Sequence, residues 1–286
     1  MHTIEVDTWE QFETQVLELK ENRKQSDNPD SSLLFRGHGS HLWNLATTLE
    51  RNKPEKVSFK EYYRLITRVR PQVEVFTGIN WTIPEYSEYE EWLREYDTLM
   101  PWKFPAYDYM VYLRHHGFPS PLLDWTRSPY VAAYFALCHT GYEKASIYAL
   151  WERPTRFKTV SGDRPGIHSL GPYVRSHRRH FLQQCQYTIC IIRDDEWCFA
   201  SHEDAFSRGD TNQDLLWKFN IPTAERLKVL KLLDSYNLNG FSLFGSEESL
   251  METMALRELH FSPWLSNTAK PRRVPSARKK RSPRRG

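Results

Sequence analysis

The stretch from residue 113 to residue 137 constrains the fold most, because it marks the start of a buried helix. Ser128 is a favourable N-cap, and Pro129 suits the first helical turn, where no backbone donor is needed. Val131 and Phe135 then recur at helical spacing, which predicts one inward-facing side. Polar residues directly before this helix would lie beside free N–H groups and the positive end of the helix dipole. The stretch therefore predicts a site for an anionic or hydroxyl-rich ligand.

Charged and titratable residues near this helix start offer several kinds of chemistry. Arg36, which follows a short apolar run, can hold a phosphate through two N–H donors or form a structural ion pair. Asp124 can act as a general base or orient a ribose, but it can equally pair with Arg36 or Arg127. His115 and His116 titrate near neutral pH, and at a helix end two adjacent residues point in different directions. At most one histidine is therefore expected to face a pocket, and a structural hydrogen bond is the alternative role.

The remaining candidates are uncharged and each has two interpretations. Trp125 can stack on a nicotinamide or adenine ring, or it can belong to the core. Thr126 and Ser128 can contact a ligand or serve as caps of the helix that follows. Gln183 and Gln184 precede the clearest β segment of the chain and would be unusual core residues. Their position favours a polar pocket.

Hydrophobic periodicity predicts a single α+β domain with a small mixed sheet and flanking helices. Strands are predicted over residues 4–6, 32–37, 145–151, 186–192 and 215–222. Helices are predicted over residues 8–24, 59–77, 108–116, 224–235 and 246–259, and one more begins at Ser128. Pro71 is expected to end or kink its helix, residues 81–102 to be part helix, and residues 152–177 to be loop.

The distribution of charge separates the C-terminus from the rest of the chain. The net charge is +3, but nine Lys or Arg residues and no acidic residue lie between Lys270 and Gly286. The remaining residues carry 30 basic against 36 acidic side chains. We therefore expect a disordered basic tail over residues 266–286, which either binds nucleic acid through Lys270 to Arg285 or is a solvated terminus. The acidic body argues against nucleic acid as the substrate of the folded domain.

Two further classes of protein are disfavoured. No run of about 18 apolar residues is present and the N-terminus lacks an apolar signal region, so a cytoplasmic protein without a membrane partner is expected. The four cysteines form no C-x-x-C pair. His115, His116 and Asp124 lack the helix-face spacing of a metalloenzyme. We therefore expect no metal.

A family resemblance begins at Arg36, in the run Leu34-Phe35-Arg36-Gly37-His38. A longer motif follows as His115-His116-Gly117-Phe118-Pro119, then Leu122-Leu123-Asp124-Trp125-Thr126, then Ala132-Ala133-Tyr134-Phe135-Ala136. A third is His180-Phe181-Leu182-Gln183-Gln184-Cys185-Gln186-Tyr187-Thr188. These motifs resemble the FRG domain, named for its Phe-Arg-Gly, over roughly residues 30–250. The resemblance implies an FRG domain over residues 30–265, preceded by an N-terminal strand and helix over residues 1–29.

The layout of the three motifs is also similar to that of ADP-ribosyltransferases of the arginine–serine–glutamate type. That similarity implies that Arg36 takes the arginine role and that Thr126 with Ser128 takes the hydroxyl role. The glutamate position falls on Gln183, Gln184 or Gln186, and glutamine supplies no countercharge to a developing ribose cation. Three alternatives stay open: the nucleotide is bound without cleavage, Asp124 replaces the glutamate, or the comparison with transferases does not hold.

The function expected from these resemblances is a nucleotide-binding effector with NAD as its cofactor or substrate. If the chain is an enzyme, it would be an ADP-ribosyltransferase or an NAD glycohydrolase. The implied catalytic residues are Arg36, Asp124, Thr126, Gln183 and Gln184. The implied cofactor-binding residues are Arg36, Gly37, His116, Trp125 and Ser128. The alternative function is a non-catalytic protein- or nucleic-acid-binding module of a bacterial or phage defence system.

Overall fold

The computed structural model describes most of the chain before the C-terminal tail. The described residues are 1–99, 104–139, 141–154, 163–172, 174–175, 178–206 and 214–262. The predicted tail over residues 266–286 therefore lies outside them, as do residues 100–102 of the segment predicted to be part helix. Within these ranges no helix combines the length and the apolar character needed to cross a bilayer.

Strands and helices are interspersed irregularly along the chain, with runs of consecutive helices between β2 and β3 and after β8, and the predicted α+β class is confirmed. The strands are β1 His2–Glu5, β2 Leu33–His38, β3 Leu123–Thr126, β4 Lys144–Trp151, β5 Gly166–Ser169, β6 Cys185–Arg193, β7 Trp197–Phe199 and β8 Leu215–Pro222. The helices are α1 Trp9–Lys24, α2 Thr48–Asn52, α3 Phe59–Thr77, α4 Tyr86–Leu99, α5 Tyr107–His115, α6 Pro129–Leu137, α7 Arg178–Leu182, α8 His202–Phe206, α9 Arg226–Ser235, α10 Gly240–Phe244 and α11 Glu247–Leu256. A 3₁₀ turn over Thr223–Glu225 precedes α9, and a π turn over Arg257–Phe261 follows α11.

All eight strands belong to one mixed sheet, in the order β1-β8-β4-β2-β3-β6-β5, with β7 also paired to β6. The β1–β8 pair is parallel and the other pairs are antiparallel. The long central pairs β2–β4 and β4–β8 contrast with β2 and β3, which share the single register pair Phe35–Thr126. The sheet is therefore loosely joined between β2 and β3.

Two large hydrophobic clusters cover the sheet. One cluster joins α1, α6 and α9 to inward residues of β4 and β8, including Phe12, Ile147 and Phe219. The other is rich in aromatic residues and joins α3, α4 and α5 to β6, including Phe59 and Tyr109. Helices therefore flank the sheet as predicted, and each covers it with its apolar stripe.

The helix starts follow the sequence signals closely. The Ser128 side chain accepts from the Val131 backbone N–H, and Pro129 occupies the first turn of α6, as predicted. The Thr8 side chain likewise accepts from the Gln11 N–H at the start of α1. Helix α3 spans Phe59–Thr77, which is the predicted range, and it continues through Pro71 rather than ending there. Its buried residues Phe59, Tyr62, Tyr63 and Ile66 all precede the proline.

The sheet has eight strands in the described residues, and the hydrophobic pattern alone does not indicate three of the short ones, β3, β5 and β7. Strand β3 carries Asp124 and Thr126, and its four residues between Pro121 and Pro129 are too few for their apolar–polar alternation to predict a strand. Strand β5 lies inside residues 152–177, which were expected to be loop. Strand β7 has only three residues. Each gains its regularity from pairing with β6, which is a tertiary contact.

Gly37 allows α6 to lie directly on β2. A Cβ added at this position would come within 2.0 Å of the Ala132 carbonyl oxygen and 2.6 Å of the Ala136 nitrogen. Both atoms belong to helix backbone, so a side chain at position 37 cannot be accommodated by rotating a neighbour. The glycine therefore fixes the separation of the helix from the strand that carries Arg36.

We predict that Gly37→Ala destabilises the fold by about 3 kcal/mol or more, because α6 must move away from β2. Urea unfolding followed by circular dichroism measures this free energy of unfolding. Gly39→Ala is the matched control, since its added Cβ would meet only the His139 side chain, at 3.2 Å, and should cost about 1 kcal/mol or less. Equal losses in the two variants would contradict the packing argument.

Candidate functional site

A cavity of about 700 Å³ opens where β2, β3, α6 and the segment after β2 meet. This is the place where β2 and β3 are joined by a single register pair. The polar side chains that line it are Arg36, His38, Arg51, Asp124, Thr126 and Gln183. The large apolar ones include Leu42, Trp43, Trp125 and Phe135. Its volume and mixed lining are typical of a small-molecule or cofactor site.

Arg36 and Asp124 form the polar centre of this cavity. Arg36 Nη1 donates to Asp124 Oδ1 at 2.5 Å and to the Asp124 carbonyl oxygen at 2.7 Å. Arg114, from α5, donates through Nη2 to the same Oδ1 atom at 2.7 Å. One carboxylate oxygen therefore holds two guanidinium groups that come from β2 and α5. The other oxygen, Oδ2, accepts no hydrogen bond from the described residues.

The electrostatic balance of this cluster is positive. Burial raises the pKa of Asp124, but the charges of Arg114 and Arg36 outweigh burial and hold that pKa well below its ordinary value. Asp124 is therefore an anion at neutral pH. Partial burial lowers the pKa of Arg51, and the nearby charges of Arg36 and Arg114 lower it further. Three guanidinium groups thus surround one carboxylate, and the cavity favours an anionic ligand.

His38 lies beside this cluster as a neutral ring. Its Nε2 atom accepts from Arg36 Nε at 3.1 Å, so its proton is on Nδ1. Burial first, and then the charge of Arg36, lowers the pKa of His38 from 6.5 to about 3. The ring packs edge-on against Tyr148, with 5.0 Å between the ring centroids. His38 therefore orients the Arg36 guanidinium and adds no charge to the cavity.

Exposed aromatic and aliphatic side chains form the mouth of the cavity. Trp43 is 43% exposed, and its indole meets the Tyr142 ring edge-on at 5.3 Å between centroids. Leu42 beside it is 72% exposed. Phe135 lines the inner wall from α6. The charged centre is therefore flanked by apolar surface that could contact a planar ring.

Six of the predicted site residues line this one cavity: Arg36, Gly37, Asp124, Trp125, Thr126 and Gln183. Several of these side chains are already engaged. Trp125 is buried and its Nε1 donates to Thr188 Oγ1 at 2.8 Å. Thr126 Oγ1 accepts from the Ser128 N–H at 3.1 Å. Gln183 Nε2 donates to the Leu243 carbonyl at 3.1 Å, so its amide ties the turn between α7 and β6 to α10.

The other three predicted residues lie outside the cavity lining. Ser128 caps α6. Gln184 has a left-handed φ of 51° and lines a second groove on the other side of β3 and β6. His116 follows α5, with its ring 4.3 Å from that of Tyr112. His115 turns inward instead and lies 2.7 Å from the Tyr187 hydroxyl, so the two histidines diverge as expected. The ligand roles assigned to all these residues stay predictions.

Sequence reasoning missed Arg51, Arg114 and His38 as members of the site. His38 belongs to the Phe-Arg-Gly motif and Arg114 to the stretch 113–137, but nothing in their spacing indicates that they meet Arg36 or Asp124. Arg51 lies in α2, whose capping box of Thr47 and Glu50 was a local signal that could have located the helix. Within the described ranges, no group of three or more histidine, cysteine or acidic residues is arranged to hold a metal.

The neutral state of His38 predicts a pH dependence of folding. Its pKa is about 3 in the folded chain, against 6.5 for the free side chain, so between these values the unfolded chain binds a proton that the folded chain does not. Stability should therefore fall as pH drops below 6.5, with a slope approaching about 1.4 kcal/mol per pH unit. His38→Gln, whose amide oxygen can still accept from Arg36, should flatten this slope. Urea unfolding between pH 4.5 and 7.5 measures it.

The matched control is His260→Gln, because His260 is exposed in the folded chain. This variant should keep the wild-type slope. The lowered pKa of Asp124 affects stability as the pH approaches the ordinary carboxyl pKa of 3.8, which lies below the measured range, so Asp124 contributes little to this slope. If His38→Gln shows the same dependence of unfolding free energy on pH as the wild type, the conclusion that His38 is buried and neutral is wrong.

Comparison with known proteins finds a family match over residues 31–145. No curated protein and no solved structure matches the chain. The family model of the FRG domain matches residues 31–145, which include the Phe-Arg-Gly run, Asp124 and the helix after Ser128. This range provides β2, β3, α2, α5 and α6, and thus most of the cavity lining. The chain therefore contains an FRG domain at residues 31–145.

Proposed function

We propose that the cavity binds an NAD-like dinucleotide through its diphosphate and does not cleave it. The observation that carries this proposal is the excess of guanidinium groups over carboxylates. Arg36, Arg51 and Arg114 surround Asp124, the single acidic side chain among the described residues of the lining. A diphosphate matches this balance, because each arginine presents several N–H donors in a fixed plane.

Free hydrogen-bonding groups support the same assignment. Arg36 Nη2 makes no hydrogen bond to the described residues, although Nε and Nη1 are both engaged. A guanidinium fixed by two of its nitrogens can donate from the third without losing side-chain entropy. Asp124 Oδ2 is likewise available, and the side chain is 33% exposed. This oxygen could accept from a ribose hydroxyl while Arg36 holds phosphate.

The apolar wall supports a ligand with aromatic rings at its ends. Trp43 and Phe135 lie at the mouth and the inner wall of the cavity. A nucleobase or a nicotinamide ring is planar and gains about 1 kcal/mol from such contacts beyond the burial of its area. The cavity volume of about 700 Å³ lies within the range of small-molecule and cofactor sites.

The arrangement of Asp124 argues for binding rather than cleavage. Breaking the nicotinamide glycosidic bond develops positive charge on the ribose, and an adjacent carboxylate must stabilise that charge. Here the charge of Asp124 is already compensated by Arg36 and Arg114. The remaining guanidinium charge would oppose a cationic transition state. Gln183 provides no replacement, because its amide bonds to Leu243 and it carries no charge.

The family resemblance, and not the geometry, supports the wider biological setting. FRG domains occur in bacteria and their viruses, so we propose a cytoplasmic nucleotide sensor or effector of a phage defence system. Binding without turnover is compatible with either role, since both require a ligand to shift a conformational equilibrium.

Binding measurements with Arg51→Ala test the diphosphate assignment. Arg51 is exposed at the cavity rim, and its one hydrogen bond to a described residue goes to the Ala46 carbonyl, at 2.8 Å, so its removal should leave the fold intact. We expect NAD and ADP-ribose to bind roughly 10- to 100-fold more weakly, because a charged hydrogen bond contributes about 1.5–3 kcal/mol. Isothermal titration calorimetry measures this change. Nicotinamide riboside, which lacks the diphosphate, should give no measurable heat.

Lys53→Ala is the matched control, because it removes one exposed cation immediately after the same short helix. Its effect on NAD affinity should be less than about twofold, as expected for a screened surface charge. The proposal fails if Arg51→Ala binds NAD like the wild type, or if nicotinamide riboside binds as tightly as NAD.

A turnover assay tests the absence of cleavage separately. The wild-type chain incubated with NAD should release free nicotinamide no faster than buffer, because the cluster at Asp124 opposes positive charge on the ribose. Chromatographic detection of nicotinamide over several hours measures the rate. Release above buffer that disappears in Arg51→Ala would show that the cavity cleaves its ligand and would overturn this half of the proposal.

A further inference from the structure

We propose that a second groove, separate from the first cavity, binds single-stranded nucleic acid. The groove lies on the other side of the start of β6 and has a volume of about 740 Å³. Its lining includes Arg127, Arg175, Arg178, His180, Phe181 and Gln184. Cys185 contributes to both lining surfaces, so the two sites share one wall. This inference does not depend on the nucleotide proposed for the first cavity.

Three exposed arginines give the groove its charge. Arg127 is held in place, because its Nε and Nη2 atoms donate to the Gln186 side-chain oxygen at 2.5 and 2.7 Å when that amide is oriented to satisfy both groups. Arg175 and Arg178 are exposed and form no ion pair with the described residues. Asp108 accepts from the Arg175 backbone N–H at 3.3 Å, and the described residues that line the groove include no acidic side chain. The guanidinium groups therefore exceed the carboxylates at this surface.

An exposed aromatic ring stands among these cations. Phe181 is 81% exposed, although it is one of the largest apolar side chains on the surface. It lies three residues after Arg178 on α7, so both side chains occupy the same face of the helix. Arg179 between them turns away, with its guanidinium 5.4 Å from the centre of the Phe244 ring. Helix α7 thus presents one cation and one ring together to the groove.

His180 gives the groove a rigid wall without adding charge. Its Nε2 atom lies 3.0 Å from the Pro172 carbonyl oxygen, and its Nδ1 atom lies 3.1 Å from the Tyr187 hydroxyl. Burial lowers its pKa, so the ring is neutral at physiological pH. The bases of a nucleic acid would therefore meet a fixed neutral surface beside the exposed arginines.

This combination fits a single strand better than a duplex. A positively charged groove follows the phosphate backbone, and an exposed ring stacks on a base that is not paired. In a duplex the bases are already stacked on each other, and Phe181 would have no planar surface to contact. An acidic partner or a membrane would use the arginines but would not require the ring. The groove therefore favours RNA or single-stranded DNA.

The test uses the full chain and a fluorescent single-stranded 12-mer, either oligo(U) or oligo(dT). We expect the double variant Arg175→Glu and Arg178→Glu to weaken binding at least tenfold in fluorescence anisotropy. The slope of log affinity against log salt should fall by about 1.4, since each lost phosphate contact removes about 0.7. Phe181→Ala should weaken binding by roughly tenfold with no change in this slope.

Matched controls distinguish an effect of the groove from an effect of overall charge. Every variant retains the basic C-terminus, so any contribution of that segment to binding is the same in all of them. Arg68→Glu with Lys231→Glu makes the same change in charge at exposed positions on α3 and α9, and should weaken binding less than twofold. Phe76→Ala removes another exposed ring, 91% accessible, and should have no effect. Retention of the wild-type circular dichroism spectrum shows that each variant is folded.

Each outcome decides the proposal. Loss of affinity in the groove variants and not in the controls supports it, and the better of the two oligomers distinguishes RNA from DNA. Equal losses in groove and control variants, no binding at 50 mM salt, or a duplex bound as tightly as the single strands and without dependence on Phe181 overturns it. Arg51 lines the first cavity and not this groove. An Arg51→Ala variant with unchanged NAD affinity would therefore contradict the proposed function and leave the nucleic-acid proposal standing.

Discussion

The carboxylate of Asp124, shared by Arg36 and Arg114, is the interaction on which the cavity depends. It joins β2, β3 and α5, which are far apart in the sequence. Strands β2 and β3 share only one register pair, so the backbone ladder alone connects them weakly. The hydrogen bond from Arg36 to the Asp124 carbonyl adds a second connection at the same place. The ionic cluster thus closes the sheet at the point where the cavity opens.

The arginines of this cluster differ in how far they support the fold. Removing one arginine from a partly buried pair leaves an uncompensated charge, so structural and ligand roles of Arg36 cannot be separated by its deletion. Arg51 differs, because it stands at the rim and contributes charge without supporting the sheet. Binding energy for an anion can therefore come from Arg51 and from the free Nη2 of Arg36, while the shared Asp124 oxygen maintains the framework.

Local signals in the sequence predict a helix or strand correctly where that element depends on one segment alone. The cap at Ser128 and the proline after it fixed the start of α6, and the apolar run before Arg36 predicted β2. The Arg36–Asp124 pair was among the alternatives considered for Asp124, and it is present. Arg114, His38 and Arg51 were missed because their positions depend on how α5, β2 and α2 pack together. Strand β3 was missed for the same reason, since it exists only between β2 and β6.

The net charge of this chain indicates its binding partners less well than the local arrangement of its charged residues does. An excess of acidic residues outside the C-terminal segment argues against nucleic acid when the surface is treated as uniform. Yet interactions between exposed charges are screened beyond about 8–10 Å, so distant carboxylates have little influence on a groove. At the second groove the nearby arginines, and not the average, determine the potential that a phosphate experiences. The nucleic-acid binding that we propose for this groove therefore rests on its local arginines and on Phe181, and the average charge of the chain does not argue against it.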